Sequence, residues 1–192
     1  MPVYGIRVVS KAEDSILHTT ARVTLRRLIR EDRDEFVGLV NASSEFLYPW
    51  VYLPRSAAEF DRYYERFDRK TAECMVIGVR ETGAIAGSVS VNDIIRGPYQ
   101  RATVGYNAFA PSAGLGYMSE GLGLILRFAF NDLGLHRLEA DIQPGNEASK
   151  RLASRVGFRK EGYSPDFIRI EGVWKDHERW AVTAEMSAEP RN

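Results

Sequence analysis

The stretch Ala113-Gly114-Leu115-Gly116-Tyr117-Met118-Ser119-Glu120 decides how the chain is read. It lies between a β-rich segment, Gln100 to Ala110, and an apolar segment that runs to Asp132-Leu133-Gly134. Two closely spaced glycines let a backbone turn sharply and approach a ligand. The helix that follows starts with unpaired N–H groups and the positive end of its dipole. A strand, a G-x-G turn and a helix therefore make a candidate phosphate or pyrophosphate cradle. The third glycine of a dinucleotide fingerprint is out of place, and no Gly-Lys-Ser/Thr of a Walker loop occurs.

Downstream, Arg137 to Gln143 reads as a short strand broken by Pro144-Gly145. A helix follows from Asn146 to Val156, stopped by Gly157. Asn146 is placed to cap it, with Glu147 in its first turn. Ser149 can cap or back-bond. The two strands, 100–110 and 137–143, are expected to be sheet neighbours joined by one helical crossover, so both helix starts would meet one ligand.

Upstream, the apolar period is two. Met75 to Arg80, Ala84 to Ile95 and Gln100 to Ala110 predict a three-stranded antiparallel meander, with turns at Glu81-Thr82-Gly83 and Arg96-Gly97-Pro98. Before it stand a strand at Val23–Ile29, a helix at Glu31–Val40 and a helix at Ser56–Glu73. The last has a capping pair, Ser56 and Glu59, and an aromatic face of Phe60, Tyr63, Tyr64 and Phe67. Ser43 to Pro54 is an aromatic loop broken by two prolines. Strands Phe158–Ile170 and Val173–Met186, joined at Glu171-Gly172, close the chain. Val3–Val9 is a possible further strand, and Lys11–Thr20 reads as a linker. The expected order is β-α-α-β-β-β-α-β-α-β-β, a mixed α/β domain. Residues 1–21 form an arm, 22–187 one domain and 188–192 a tail.

Composition sets the outer limits. With 192 residues the chain fits one domain. Folding at this size buries about 70% of the unfolded surface, enough for a core without disulfide or metal staples. Hydrophobic residues are 44% and charged residues 27%, which excludes bulk disorder and fibrous classes. Lysine plus arginine and aspartate plus glutamate each number 26, so the net charge is 0. No global field selects nucleic acid or an anionic membrane. No apolar run reaches the length of a membrane span, and the N-terminus does not read as a signal peptide. The single cysteine, Cys74, follows as a buried thiol in a reducing, cytoplasmic setting. No His/Cys cluster has metal spacing, and none of His18, His136 and His177 neighbours another, so no metal is expected. Residues 97–131 carry only Arg101, Glu120 and Arg127 as charges, whereas 150–160 carry Lys150, Arg151, Arg155, Arg159 and Lys160. An uncharged loop beside a basic helix suits a ligand with an apolar arm and phosphates.

These residues resemble the GCN5-related N-acetyltransferases, and within them the RimJ/RimL group that acetylates N-terminal amines of ribosomal proteins. The resemblance runs from about Thr24 to Met186. It rests on Gly105-Tyr106, on the Gly114 to Glu120 turn, on Asn146-Glu147-Ala148-Ser149-Lys150-Arg151-Leu152, and on Val156-Gly157-Phe158-Arg159-Lys160-Glu161-Gly162. It implies a central mixed, mostly antiparallel sheet of about seven strands flanked by about four helices. It implies acetyl-CoA as co-substrate and direct transfer of acetyl to a primary amine. The family loop Arg/Gln-x-x-Gly-x-Gly/Ala is here Ala113 to Met118, without the basic side chain. Cofactor contacts implied are Ala108, Phe109, Ala110, Gly114, Leu115, Gly116, Tyr117, Met118, Ser119, Asn146, Ser149 and Arg151. A backbone N–H near Ala108–Ala110 would hold the developing oxyanion. The tyrosine that many relatives place seven residues after the Asn is Ala153 here. The resemblance therefore points to Ser149 as donor to the CoA sulfur, with Asn146 on the pantetheine amides. Tyr48, Trp50, Asn92 and Glu139 are the expected acceptor-side residues. The base is open among Asp93, Glu139 and Asp141, and His136 and His177 read as structural or surface residues.

Deprotonating an α-amine at pH 7 costs about 1 kcal/mol, against about 4.6 kcal/mol for a lysine, which favours an N-terminal acceptor at a site without a strong base. A polyamine or aminoglycoside acceptor, or a non-catalytic acetyl-CoA-binding domain, are the alternatives. The acceptor expected is a protein or peptide N-terminus, with no nucleic acid or membrane partner, in a monomer or homodimer.

Overall fold

The computed structural model describes residues 15–188. They form strands β1 (Ile16–Thr19) and β2 (Val23–Arg27), then helices α1 (Arg33–Ala42), α2 (Ser44–Leu47) and α3 (Ala57–Tyr64). Strands β3 (Glu73–Val79), β4 (Ile85–Ile95) and β5 (Arg101–Ala108) are the meander. Helix α4 (Tyr117–Arg127), strand β6 (Arg137–Ile142) and helix α5 (Glu147–Arg155) follow, then β7 (Arg159–Ile170), β8 (Val173–Thr183) and a short α6 (Ala184–Ala188).

The strands make one sheet in the order β1-β2-β3-β4-β5-β6-β8-β7. Only β5 and β6 are parallel neighbours; every other pair is antiparallel. This is the predicted architecture, with the crossover through α4 where the glycine turn required it. Strand β3 shows why the sheet is central. Its Met75 and Ile77 enter one core with Leu122 and Ile125 of α4, while Cys74 and Val76 enter a second with Phe36, Phe60 and Phe109. Successive strand side chains face opposite ways, so an unbroken apolar run serves two cores. In the second core Phe36 meets Phe60 and Phe109 edge-on, with ring centroids 5.6 and 5.5 Å apart.

Four elements differ from expectation. The segment read as a linker over 11–20 ends in β1, an edge strand paired with β2; Val3–Val9 lies outside the described residues. The aromatic loop contains one helical turn, α2, which seats Leu47 in the second core. Helix α3 stops at Tyr64, well short of Glu73. The Asp68 carboxylate takes the N–H groups of Lys70 and Thr71 at 2.8 and 2.7 Å and turns the chain. The last strand ends at Thr183, and α6 follows it. The eighth strand and the two short helices account for the departure from seven strands and four helices.

Candidate active site

Strands β5 and β6 pair at Arg101–Arg137, Ala102–Leu138 and Thr103–Glu139, and no further. Beyond that point β5 stays with β4 to Ala108, and β6 stays with β8 to Ile142. The parallel pair therefore opens like a V. The opening holds a cavity of about 240 Å³ whose walls include Ser90, Tyr106, Asn107, Asp141, Ser149 and His177. A second, more apolar cavity of about 420 Å³ lies between the loop after α2 and helix α5, against Leu47, Tyr48, Ala108, Ala148 and Leu152. Trp50, Val51, Tyr106, Asn107, Asn146 and Ser149 line both, so the two cavities meet at these residues.

Helix α5 places Ser149 at that junction. The Asn146 side chain accepts the Ser149 N–H at 3.1 Å, which is the predicted cap. The Ser149 hydroxyl donates to the Tyr106 phenol oxygen at 2.9 Å, and the phenol donates to the Ser149 carbonyl at 3.1 Å. Burial pushes the Tyr106 pKa up to about 12, against the opposing Ser149 hydrogen bond, so the phenol stays protonated and remains a donor.

The turn before α4 is a cradle of free donors. Gly114 and Gly116 have φ of 78° and 83°, and Gly116 caps α4 in the left-handed conformation. Among the described residues, no protein acceptor takes the N–H groups of Gly114, Leu115, Gly116, Tyr117 or Met118. The Ser119 N–H is used by the Gly116 carbonyl at 3.1 Å. Leu115 is 53% exposed, whereas the Met118 side chain packs against Gly87 in the core and only its N–H faces the turn. Arg22 reaches this turn from the bend between β1 and β2. It stacks 5.1 Å from the Tyr117 ring centroid and donates to Glu120 at 2.6 Å.

The expected oxyanion donors narrow to one. The Phe109 N–H goes to the Ala86 carbonyl at 3.0 Å and the Ala110 N–H to the Ser43 hydroxyl at 2.9 Å. Bonding to an antiparallel neighbour alternates along a strand. With Phe109 turned to β4, Tyr106 and Ala108 turn their N–H groups toward the gap where β6 has departed.

The remaining expected residues divide. Trp50 lines both cavities; its ring lies so close to Gly145 that a Cβ there would sit 3.2 Å from it, and its carbonyl accepts from Gln143 at 3.0 Å. Tyr48 lines the apolar cavity and is 66% exposed. Asp141 lines the polar cavity, its Oδ1 2.7 Å from Arg179 Nε, and burial raises its pKa. Glu139 lines neither cavity. It sits at the last closed pair of the V, bound by Arg101, Arg137 and Arg179 at 3.1, 2.8 and 3.3 Å. Asn92 bonds Ser90 at 3.0 Å and stands outside both linings, as do Asp93 and exposed Arg151. The wall residues that escaped the sequence reading as site residues include Arg66, Ser90, Tyr106, Asn107 and His177. Only Gly105-Tyr106 carried any signal, as part of the family pattern.

A parallel pair thus splays over a donor-rich turn, with a serine–tyrosine pair at the opening. Residues 22–159 match the family described as Acetyltransferase (GNAT) domain, and the chain belongs to that family. It is 37% identical over 168 residues to a probable N-acetyltransferase of Bacillus subtilis (strain 168), YjcK, covering 83% of this chain and 93% of the relative. It is 34% identical over 173 residues to the ribosomal protein uS5-alanine N-acetyltransferase of Escherichia coli (strain K12), covering 86% and 89%. In fold it matches Mycobacterium smegmatis RimJ in complex with CoA-disulfide, with TM-score 0.80, 24% identity and coverage of 87% and 84%. A spermidine N-acetyltransferase from Vibrio cholerae, in complex with CoA and spermine, also shares the fold, with TM-score 0.75, 20% identity and coverage of 88% and 100%. The protein is an acetyl-CoA-dependent N-acetyltransferase of the RimJ/RimL-like kind.

Proposed function

We propose that this enzyme acetylates the N-terminal α-amine of a protein, with a ribosomal protein as the first candidate. The charge of the cleft carries the proposal. The carboxylates on the walls are Asp141, paired with Arg179, and Glu45 at the apolar cavity, and Arg66 stands on the polar wall. A polyamine needs several unpaired acids; a single α-amine does not. The 34% identical uS5-alanine acetyltransferase supports the same class of acceptor. The fold shared with a spermidine acetyltransferase keeps the polyamine reading as the rival under test.

The residues present fit acetyl-CoA. The free N–H groups from Gly114 to Met118 would hold its pyrophosphate. The apolar cavity, with Ala108, Ala148 and Leu152, would take the pantetheine arm, and Asn146 and Ser149 would meet its thioester end. The thioester supplies the activated acetyl group. The Ala108 N–H would face the oxygen that gains charge, and the Ser149 hydroxyl would give a proton toward the sulfur. Trp50 and Tyr48 would wall the acceptor side. A cytoplasmic setting belongs to the same proposal.

The test is thiol release from acetyl-CoA with peptides carrying free N-terminal Ala, Ser or Thr. The same peptides with blocked N-termini and an internal lysine, and spermidine, are the controls. Release that needs the free N-terminus is the expected result. Release with spermidine and not with peptides would transfer the enzyme to small amines.

A further inference from the structure

We propose that His177 is the general base that takes a proton from the acceptor ammonium. The inference needs the acetyltransferase activity but not the choice between a peptide and a polyamine.

His177 stands one residue beyond the last β6–β8 pair, Ile142–Glu178, where the sheet opens into the polar cavity. The side chain is held, with the residue only 3% exposed. Its Nδ1 lies 2.9 Å from the Lys175 carbonyl. A carbonyl oxygen only accepts, so Nδ1 carries the hydrogen, and the neutral ring keeps its lone pair on Nε2.

The opposite strand is distorted to suit. Ser164 pairs with His177 and Ile168 with Lys175, so Pro165, Asp166 and Phe167 oppose the single residue Asp176. Asp166 adopts a φ of 46° and donates its N–H to Asp176 at 2.9 Å. The bulge brings Phe167 edge-on to the imidazole, centroids 6.2 Å apart, with the Arg179 guanidinium 4.5 Å over the Phe167 ring. Bulges of this kind re-aim a side chain beside an active site.

The charged groups around the ring are Asp141 on β6, Asp176, Lys175 and Arg179 on β8, Asp166 in the bulge and Arg66 on the cavity wall. Asp141 is the only carboxylate in that wall, and Arg179 engages it. Of the titratable side chains in that wall, histidine has the ordinary pKa nearest to that of an α-amine.

The chemistry balances. The ammonium gives one proton to Nε2. The freed lone pair forms the N–C bond to the acetyl carbon as the C–S bond breaks. The CoA sulfur takes the Ser149 proton, Ser149 takes the second amine proton, and His177 returns its proton to water. One amide and one thiol result, with no other reactant.

His177→Asn keeps a donor for the Lys175 carbonyl and removes Nε2. With acetyl-CoA and a free-N-terminus peptide, or spermidine if that is the amine accepted, turnover near pH 7 should fall about 100-fold or more. The loss should narrow at higher pH, where the amine deprotonates unaided, while acetyl-CoA affinity stays within about twofold. A variant-to-wild-type ratio that is constant with pH, or turnover within about threefold of wild type, overturns the proposal. If the variant does not fold, ¹⁵N spectra of the intact enzyme, which has 3 histidines, decide. The expected His177 ring is the Nδ1–H tautomer, titrating with the acidic limb of the rate profile. A ring protonated on Nε2 alone, or a titration away from that limb, overturns the assignment.

Discussion

The Ser149 hydroxyl donates to the Tyr106 phenol oxygen at 2.9 Å, across 43 residues of sequence and between a helix and a strand that no local rule connects. The same phenol donates back to the Ser149 carbonyl at 3.1 Å. The two groups form a closed pair at the junction of both cavities, so a proton given up by one is supported by the other.

Ser149→Ala therefore separates binding from chemistry. The Asn146 cap uses the backbone N–H of residue 149, which alanine retains. Turnover should fall about 100-fold with acetyl-CoA affinity held. Unchanged turnover, measured by thiol release, would remove Ser149 as the proton donor. Tyr106→Phe should produce a smaller loss; an equal or larger one would make the phenol the donor.

Asn146→Ala should cost about 1 kcal/mol of stability, the usual value of an N-cap side chain. Its effect on the KM for acetyl-CoA should exceed its effect on kcat, because the first turn of α5 carries both cavity walls. Thermal melts and steady-state kinetics of the same preparation check both statements.

Gly116→Ala places a Cβ at a φ of 83°, 3.1 Å from the Arg22 guanidinium. The left-handed conformation should cost about 1–2 kcal/mol. Weakened acetyl-CoA binding should accompany it, since the same turn presents the free N–H groups. Calorimetric titration with acetyl-CoA that found wild-type affinity would refute the cradle.

The acid limb of stability should contain a contribution from Glu161. Hydrogen bonds from Arg137 first, and Arg159, lower its pKa from 4.5 to about 2. A depressed carboxylate stabilises the fold above its unfolded pKa, and that stability drains away as pH falls from about 4.5 toward 2. Glu161→Gln should flatten this stretch of a melting-temperature profile and leave the slope near neutrality alone. An unaltered acid slope would count against it.

Legibility followed distance along the chain. The Asn146–Ser149 cap spans one helical turn, and the Gly114–Gly116 turn is set by φ angles its own residues permit, so both could be read directly. The segment from Met75 to Arg80 announced a strand, but that its two faces serve two cores is seen only in the fold. Glu139 shows the opposite case. It occupies a strand beside the opening, but the register ends the closed pairing at Thr103–Glu139, and three arginines from β5, β6 and β8 occupy its carboxylate. His177 looked structural for the same reason. Its tautomer depends on a carbonyl two residues away, but its position in the cleft depends on where β6 leaves β8 and on a bulge in β7.

From the residues alone come the mixed sheet, the single crossover, the glycine cradle and the capped Asn-x-x-Ser helix. These are short-range matters of side-chain alternation, backbone freedom and capping. Tertiary structure alone decided that β5 and β6 part after three pairs, that Tyr106 closes on Ser149, and that His177 and Asp141 face the resulting space. A cleft is a place where pairing stops, and which pairs stop depends on how each strand is held by its other neighbour.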